Sequence, residues 1–191
     1  MDLEKIILEE LMAFIPVYIP LKGNCTQLYT KEGGVYQIER NTRTIVNQLC
    51  EYYLMDLKAT RKYYGDLLSM KNLIPIPFTE EDIFIPIRVR KPICKNDGAT
   101  GFINIKHIKK VLELKGKALI ELVNGQKIPC LSTIETTNRH IKNGHIVKRL
   151  YGEKQNTITL RECNFYDEYN QPATKGDIAL LRQEILKLKG L

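Results

Sequence analysis

The sequence predicts an α+β protein built on a mainly antiparallel sheet, with a central helix and a C-terminal helix. Three observations carry that prediction. Asn124-Gly125, the dipeptide that most strongly favours a tight hairpin, lies between two apolar stretches. Gly33-Gly34 separates two short runs rich in strand-forming residues. Residues 41–55 and 174–188 space their apolar side chains three and four apart behind a capping residue, the pattern of amphipathic helices.

Taken in order, Leu3, Ile6, Ile7 and Leu11 or Met12 fall near helical spacing, so a short amphipathic helix is expected within residues 2–13. Over residues 13–21, Pro16 and Pro20 exclude helix and favour extended backbone. Residues 26–31 and 35–39 read as strands turning at Gly33-Gly34. Asn41 offers an N-cap, after which Ile45, Val46, Leu49, Tyr52 and Tyr53 line one face of a helix ending near Met55. Residues 57–73 read either as a second helix or as a basic loop, ended by the prolines of residues 74–78. Residues 83–89 alternate as a strand, with Arg88 and Arg90 on one side and Ile87 and Val89 on the other. Residues 91–100, holding Pro92, Asn96, Asp97 and Gly98, read as a surface loop.

Residues 104–109 then form a turn or short helix leading into two or three antiparallel strands. The hairpin register follows from the pattern of side chains. A three-residue loop with Gly125 left-handed sets Ile120 opposite Ile128 and Ala118 opposite Cys130, giving one apolar face; a two-residue turn would set Glu121 against Ile128. Beyond it, residues 133–142 are expected to be a helix ending at Asn143-Gly144, with strands at 145–150 and 157–161. Thr174 is expected to cap a final helix, with Asp177 three residues on, that aligns Ile178, Leu181, Ile185 and Leu188.

Length and composition narrow the function classes. In 191 residues, 43% hydrophobic and 27% charged, there is enough apolar surface for a core and no sign of global disorder. The net charge of +7 suits a polyanionic partner such as nucleic acid, although charge alone fits an ordinary basic protein as well. Five scattered cysteines without a Cys-x-x-Cys pair suit a reducing cytosol better than a disulfide framework. The acidic N-terminal stretch lacks the basic start of a signal peptide, and the longest uncharged run, residues 11–21, is too short to span a bilayer. A cytoplasmic protein without a membrane partner is expected.

Signals for an enzyme are thin. His107 stands alone, and His140 and His145 have no cysteine pair upstream to complete a zinc site, so neither metal nor cofactor is expected. No phosphate-binding glycine loop, nucleophile elbow or metalloprotease helix motif occurs. Basic clusters are the stronger signal. One is Lys58, Arg61 and Lys62; a second is Arg88, Arg90, Lys91 and Lys95, leading into Lys106, His107, Lys109 and Lys110; a third is Arg139, His140, Lys142, His145, Lys148 and Arg149. Clustered cations bind phosphates by releasing counterions, and Arg or Asn side chains on a fixed scaffold can reach base edges. Phosphate positioning is therefore assigned to Lys91, Lys106, Lys109, Lys110 and Lys142, and base or minor-groove contact to Arg61, Arg88, Arg90 and Arg139. An RNA-binding or protein-interaction module using the same basic face is the alternative.

From about residue 15 to residue 150 the chain resembles the bacterial competence transcription factor (ComK) family. The matching features, in order, are the hairpin ending in residues 35–46, the Cys-aromatic run at Cys50 to Tyr53, and Thr60-Arg61-Lys62, where the family has glycine for Thr60. The proline-bearing strand at 83–86, the basic-Pro-x-Cys element at 91–94 and the Asn-Gly hairpin at 123–126 follow. Residues 101–131 also resemble the LytTR-type DNA-binding domain, whose fold implies DNA contact through loops instead of a recognition helix. Carried over by position, the resemblance implies that Thr100, Asn104 and the stretch Thr136, Thr137, Asn138 and Arg139 lie near DNA. It further implies a homo-oligomeric activator acting on AT-rich promoter elements and controlled by a Clp-protease adaptor, although the tail from about Asn156 lacks the family's Phe-Met-Leu-Tyr-Pro segment. The expected organisation is an N-terminal helical extension at 1–13, a β-rich DNA-binding domain at 14–152 and a C-terminal extension at 153–191.

Overall fold

The computed structural model describes residues 3–94, 97–170, 172 and 175–188. It divides into two compact units, residues 1–152 and 153–191. Strands β1 (Leu11–Ile19), β2 (Gly23–Thr30), β3 (Val35–Ile38), β4 (Ile76–Pro77), β5 (Ile83–Arg88) and β6 (Thr100–Asn104) form one antiparallel sheet in the order β3-β2-β1-β6-β5-β4. A second sheet is the meander β7 (Ile108–Leu114), β8 (Lys117–Leu122) and β9 (Lys127–Pro129). The helices are α1 (Leu3–Leu8), α2 (Thr42–Tyr52), α3 (Leu57–Leu67), α4 (Ile134–Asn170) and α5 (Lys175–Leu188). The fold class is the expected α+β.

Period-two side-chain alternation sorts the large sheet into two faces. On one, Ile83, Ile85 and Ile87 of β5 and Ile103 of β6 are fully buried with Ala118, Ile120, Leu122 and Ile128 of the meander and Val147 of α4. On the other, Phe14, Phe84 and Phe102 join Ile45, Val46 and Leu49 of α2. Phe14 stacks on Phe102 at 4.9 Å between ring centroids and tilts against Phe84 at 5.6 Å. The central strands are thus sealed on both sides. Two prolines fit because their missing N–H groups fall beyond a neighbour: β1 pairs β6 only through Ala13 and Phe14, short of Pro16, and β5 pairs β4 only through Ile83 and Phe84, short of Pro86.

The hairpin has the expected register, with Ile120 opposite Ile128, the Cys130 N–H donating to the Ala118 carbonyl, and Gly125 left-handed at φ 84°. Asn41 caps α2, accepting from the Thr44 N–H at 2.9 Å. The open choice at residues 57–73 resolves as helix α3, capped by Asp56, which accepts from Lys58 and Ala59.

Four local expectations are corrected. The N-terminal helix stops at Leu8, because Leu11, Met12 and Ala13 are taken into β1, where Met12 and Ala13 are completely buried. On α2, Ile45, Val46 and Leu49 are buried as expected, but Tyr52, placed on the same face, is exposed. β5 does not alternate between wet and dry, since Phe84 and Pro86 are buried as well as the isoleucines. Asn143-Gly144 does not end a helix: residues 145–150 and 157–161, expected as strands, continue α4. Gly144 is there for close approach, since a Cβ at that position would sit 2.7 Å from Ile85 and 2.8 Å from Ile105. The expected cap at Thr174 lies outside the described residues; α5 itself begins at Lys175.

Gly144→Ala is therefore expected to lower stability by about 1–3 kcal/mol from overpacking, outweighing the roughly 1 kcal/mol that alanine normally gains in a helix, as read from urea unfolding midpoints. A second expectation concerns pH. Buried His107 and His140 are held below the ordinary histidine range, by burial first and then by the charges of Lys106 and Arg139 respectively. The unfolded chain protonates near pH 6.5 while the fold keeps both rings neutral, so stability is full above that pH and falls as pH drops toward the lowered folded values. Glu10, held at about 2 by its hydrogen bonds from Lys31 and Lys106, loses its contribution only as pH falls below about 4.5. Unfolding curves at pH 7.5 and 5.5 should differ, and His140→Gln should shrink the difference.

Candidate functional site

The first unit carries an open groove of about 1130 Å³. α2 contributes Thr42, Arg43, Val46 and Asn47, and α3 contributes Leu57 and Arg61. Residues 71–74, the end of β5 with Arg88, the following loop with Arg90 and Lys91, and Thr100 and Phe102 of β6 complete it, beside Leu131 and Ser132. Its apolar floor is the phenylalanine face of the sheet; its walls are cationic. Arg43, Arg61, Lys71, Arg88, Arg90 and Lys91 all line it, and no carboxylate does among the described residues.

Several lysines outside the groove are paired with acids. Lys106 meets Glu10 at 3.1 Å, Lys109 and Lys110 meet Glu121 at 3.3 and 3.5 Å, and Lys148 meets Glu81 at 2.8 Å. Burial alone would raise the Glu121 carboxyl, but the hydrogen bond from Lys109 and the field of Lys110 prevail and lower it. In the groove, by contrast, Arg43, Arg61, Lys71, Arg88 and Lys91 have no ion pair among the described residues. Arg61 is shifted downward by burial and by repulsion from Arg43, yet guanidinium keeps its charge at neutral pH. α2 adds to the positive field: its first turn holds Arg43 and no acid, so its N-terminal dipole end stays uncompensated.

Arg90 has a different role from its neighbours. Its guanidinium lies 3.9 Å from the centroid of the Tyr18 ring, its Nε donates to the Gly98 carbonyl at 2.7 Å, and its Nη2 donates to Asn24 Oδ1. The Tyr18 hydroxyl donates to Asp97, which also accepts from the Cys94 N–H, and itself accepts from the Ile93 N–H. Loop 91–99 is tied down at both ends. Gly98 lets it close on α2, where a Cβ would come within 3.1 Å of Thr42. Arg90 Nη1 is buried without a protein partner among the described residues, leaving one donor of the fork unused.

Of the residues singled out in the sequence, Arg61, Arg88, Arg90, Lys91 and Thr100 are brought together in this groove. Lys62 is exposed on α3 outside it, and Lys95 lies outside the described residues. Asn104 is a correction: it is fully buried, donates to Asp82 Oδ1 at 2.9 Å and caps the turn that follows by accepting from the Lys106 N–H. His107 is a correction for the same reason, being 3% exposed. Lys106, Lys109 and Lys110 are exposed and each is engaged by an acid, Glu10 for the first and Glu121 for the other two. Asn138, Arg139 and Lys142 sit on the exposed face of α4 and do not line the groove. Thr136 is half-buried with its hydroxyl against Thr133, and Thr137 is fully buried. The sequence reading missed Arg43 and Lys71. A detectable signal existed for Arg43: a cation in the first turn of a capped helix opposes the dipole and calls for a reason.

Among the described residues no group of three His, Cys, Asp or Glu could hold a metal ion, and no helix is long and apolar enough to cross a membrane. The chain matches no protein-family profile, and neither the curated proteins nor the solved structures compared with it give a match.

Because Arg90 anchors the loop, Arg90→Ala should accelerate amide exchange at Ile93, Cys94 and residues 97–99 relative to the sheet, whereas Arg88→Ala should leave that exchange unchanged. Lys at position 90 should not restore protection, since it lacks the planar fork that reaches two acceptors and stacks on Tyr18 at once.

Proposed function

We propose that the protein binds double-stranded DNA through this groove and acts as a sequence-specific, competence-type transcription regulator with a preference for AT-rich promoter elements. One observation carries the reading: six cations converge on one groove without a carboxylate among its described lining residues, whereas Lys106, Lys109 and Lys110 each meet an acid. Holding like charges together without partners opposes folding, and a polyanionic ligand is the arrangement that makes use of them. Three of the five without an ion pair among the described residues are arginines, Arg43, Arg61 and Arg88, and weakly hydrated planar guanidinium heads enter a narrow AT-rich minor groove at less cost than lysine. Thr42, Asn47, Asn72 and Thr100 supply neutral donors and acceptors between the charges. The resemblance to the competence regulators supports the same class of partner, and with it a homo-oligomer and control through a Clp-protease adaptor.

The test is a mobility-shift titration on AT-rich and GC-rich duplexes across a salt series. Wild type should prefer the AT-rich duplex, with affinity falling linearly on logarithmic axes. Arg43→Ala, Arg61→Ala and Arg88→Ala should each weaken binding and reduce the salt slope by about 0.9 for each phosphate no longer neutralised. Lys109→Ala with Lys110→Ala should change little, because Glu121 already occupies both. Tighter binding to structured RNA, or no salt dependence, would overturn the proposal.

A further inference from the structure

The second unit carries an apolar stripe that none of the described residues covers. On α5, Ile178, Leu181, Ile185 and Leu188 are 64%, 66%, 45% and 87% exposed. Their spacing of three, four and three is the a-d-a-d repeat of a coiled coil, with isoleucine at both a positions and leucine at both d positions. That combination favours two parallel strands over higher assemblies, because β-branched side chains pack well at a and leucine packs well at d in a dimer. Leu180 and Leu186 are also exposed but stand outside the stripe.

The charges flanking the stripe fit the same partner. In this register Asp177 and Glu184 fall at g and Arg182 at e. Two parallel copies would set Asp177 against Arg182 of the other chain, opposite signs. An antiparallel pair would set acid against acid and base against base, so orientation is specified by repulsion as well as attraction. Glu184 now meets Lys187 of its own helix at 2.9 Å, an exposed contact that is weak enough to be exchanged.

We propose that α5 is a self-association element whose occupant is a second copy of this chain, joined as a short parallel two-stranded coiled coil. The seam is short, so the association is concentration-dependent. The inference stands on α5 alone and does not depend on the DNA-binding reading.

Light scattering on the full chain over a dilution series should show the mass rising from one chain to two. Leu181→Glu with Ile185→Glu should hold it at one chain, while the melting transition of the first unit stays in place. Arg182→Glu should shift the midpoint to at least about tenfold higher concentration, and adding Asp177→Arg to it should restore the wild-type midpoint by exchanging the signs of that pair. The charge exchange leaves the apolar seam intact, so it remains decisive if the glutamates disturb the helix. A single-chain mass at every concentration, or a dimer untouched by either set of substitutions, would overturn the inference. Arg43→Ala with Arg61→Ala should leave the dimer unchanged, which separates failure here from failure of DNA binding.

Discussion

Everything in the first unit depends on three strands that have no wet face. β1, β6 and β5 place isoleucine on one side and phenylalanine on the other, and the two sides recruit different covers. The branched, compact isoleucines mate with the meander and with α4, where even a methyl group at residue 144 would intrude. The stacked rings of Phe14, Phe102 and Phe84 carry α2. Each of those rings, buried, contributes about 1.5–3 kcal/mol from desolvation alone. Because β1, β6 and β5 are fixed from both sides, the helices and loops at the phenylalanine face are held to a defined position.

That position decides the electrostatics. Arg43 and Arg61 come from two different helices, Arg88 from the end of a buried strand, and Lys71 from the segment between α3 and β4. They belong to separate elements of the chain, so their convergence is a property of the sheet and its cover. Meanwhile Glu10, Glu81 and Glu121 quench the lysines that a sequence view makes most conspicuous. The distribution of charge is thus less a matter of how many cations the chain has than of which ones meet an acid.

Local signals were legible where the chemistry is local. Asn41, Asp56, Gly33 and Gly125 act within a few residues, and each was readable or falls where a cap or turn requires it. The register of the Asn124-Gly125 hairpin could be derived because one loop length alone puts Ile120 against Ile128. Legibility failed where a distant partner decided the outcome. Leu11, Met12 and Ala13 have helical spacing but are claimed by pairing with β2 and β6. Asn143-Gly144 looks like a helix end, yet the glycine answers to Ile85 and Ile105, side chains far away in sequence. At the site, Arg88 and Lys91 were identified because they stand in one basic stretch of the chain, and Thr100 through the resemblance. Asn104 was misread because a polar residue beside lysines looks like a reader of bases, when its amide in fact satisfies Asp82.

The order of strands in the large sheet also sets a timetable. Ala13 pairs with Ile103, so the central strand stays half-made until some ninety further residues have left the ribosome. α2 is complete before Phe84 and Phe102, two of the three rings it rests on, have been made. Thr100, Phe102, Leu131 and Ser132 come last of all to the groove, which therefore has no existence as a site in a shorter nascent chain. A protein wired this way closes its long-range loops late and folds slowly for its size. Its capacity to act arrives in one step, at the end of synthesis of the first unit.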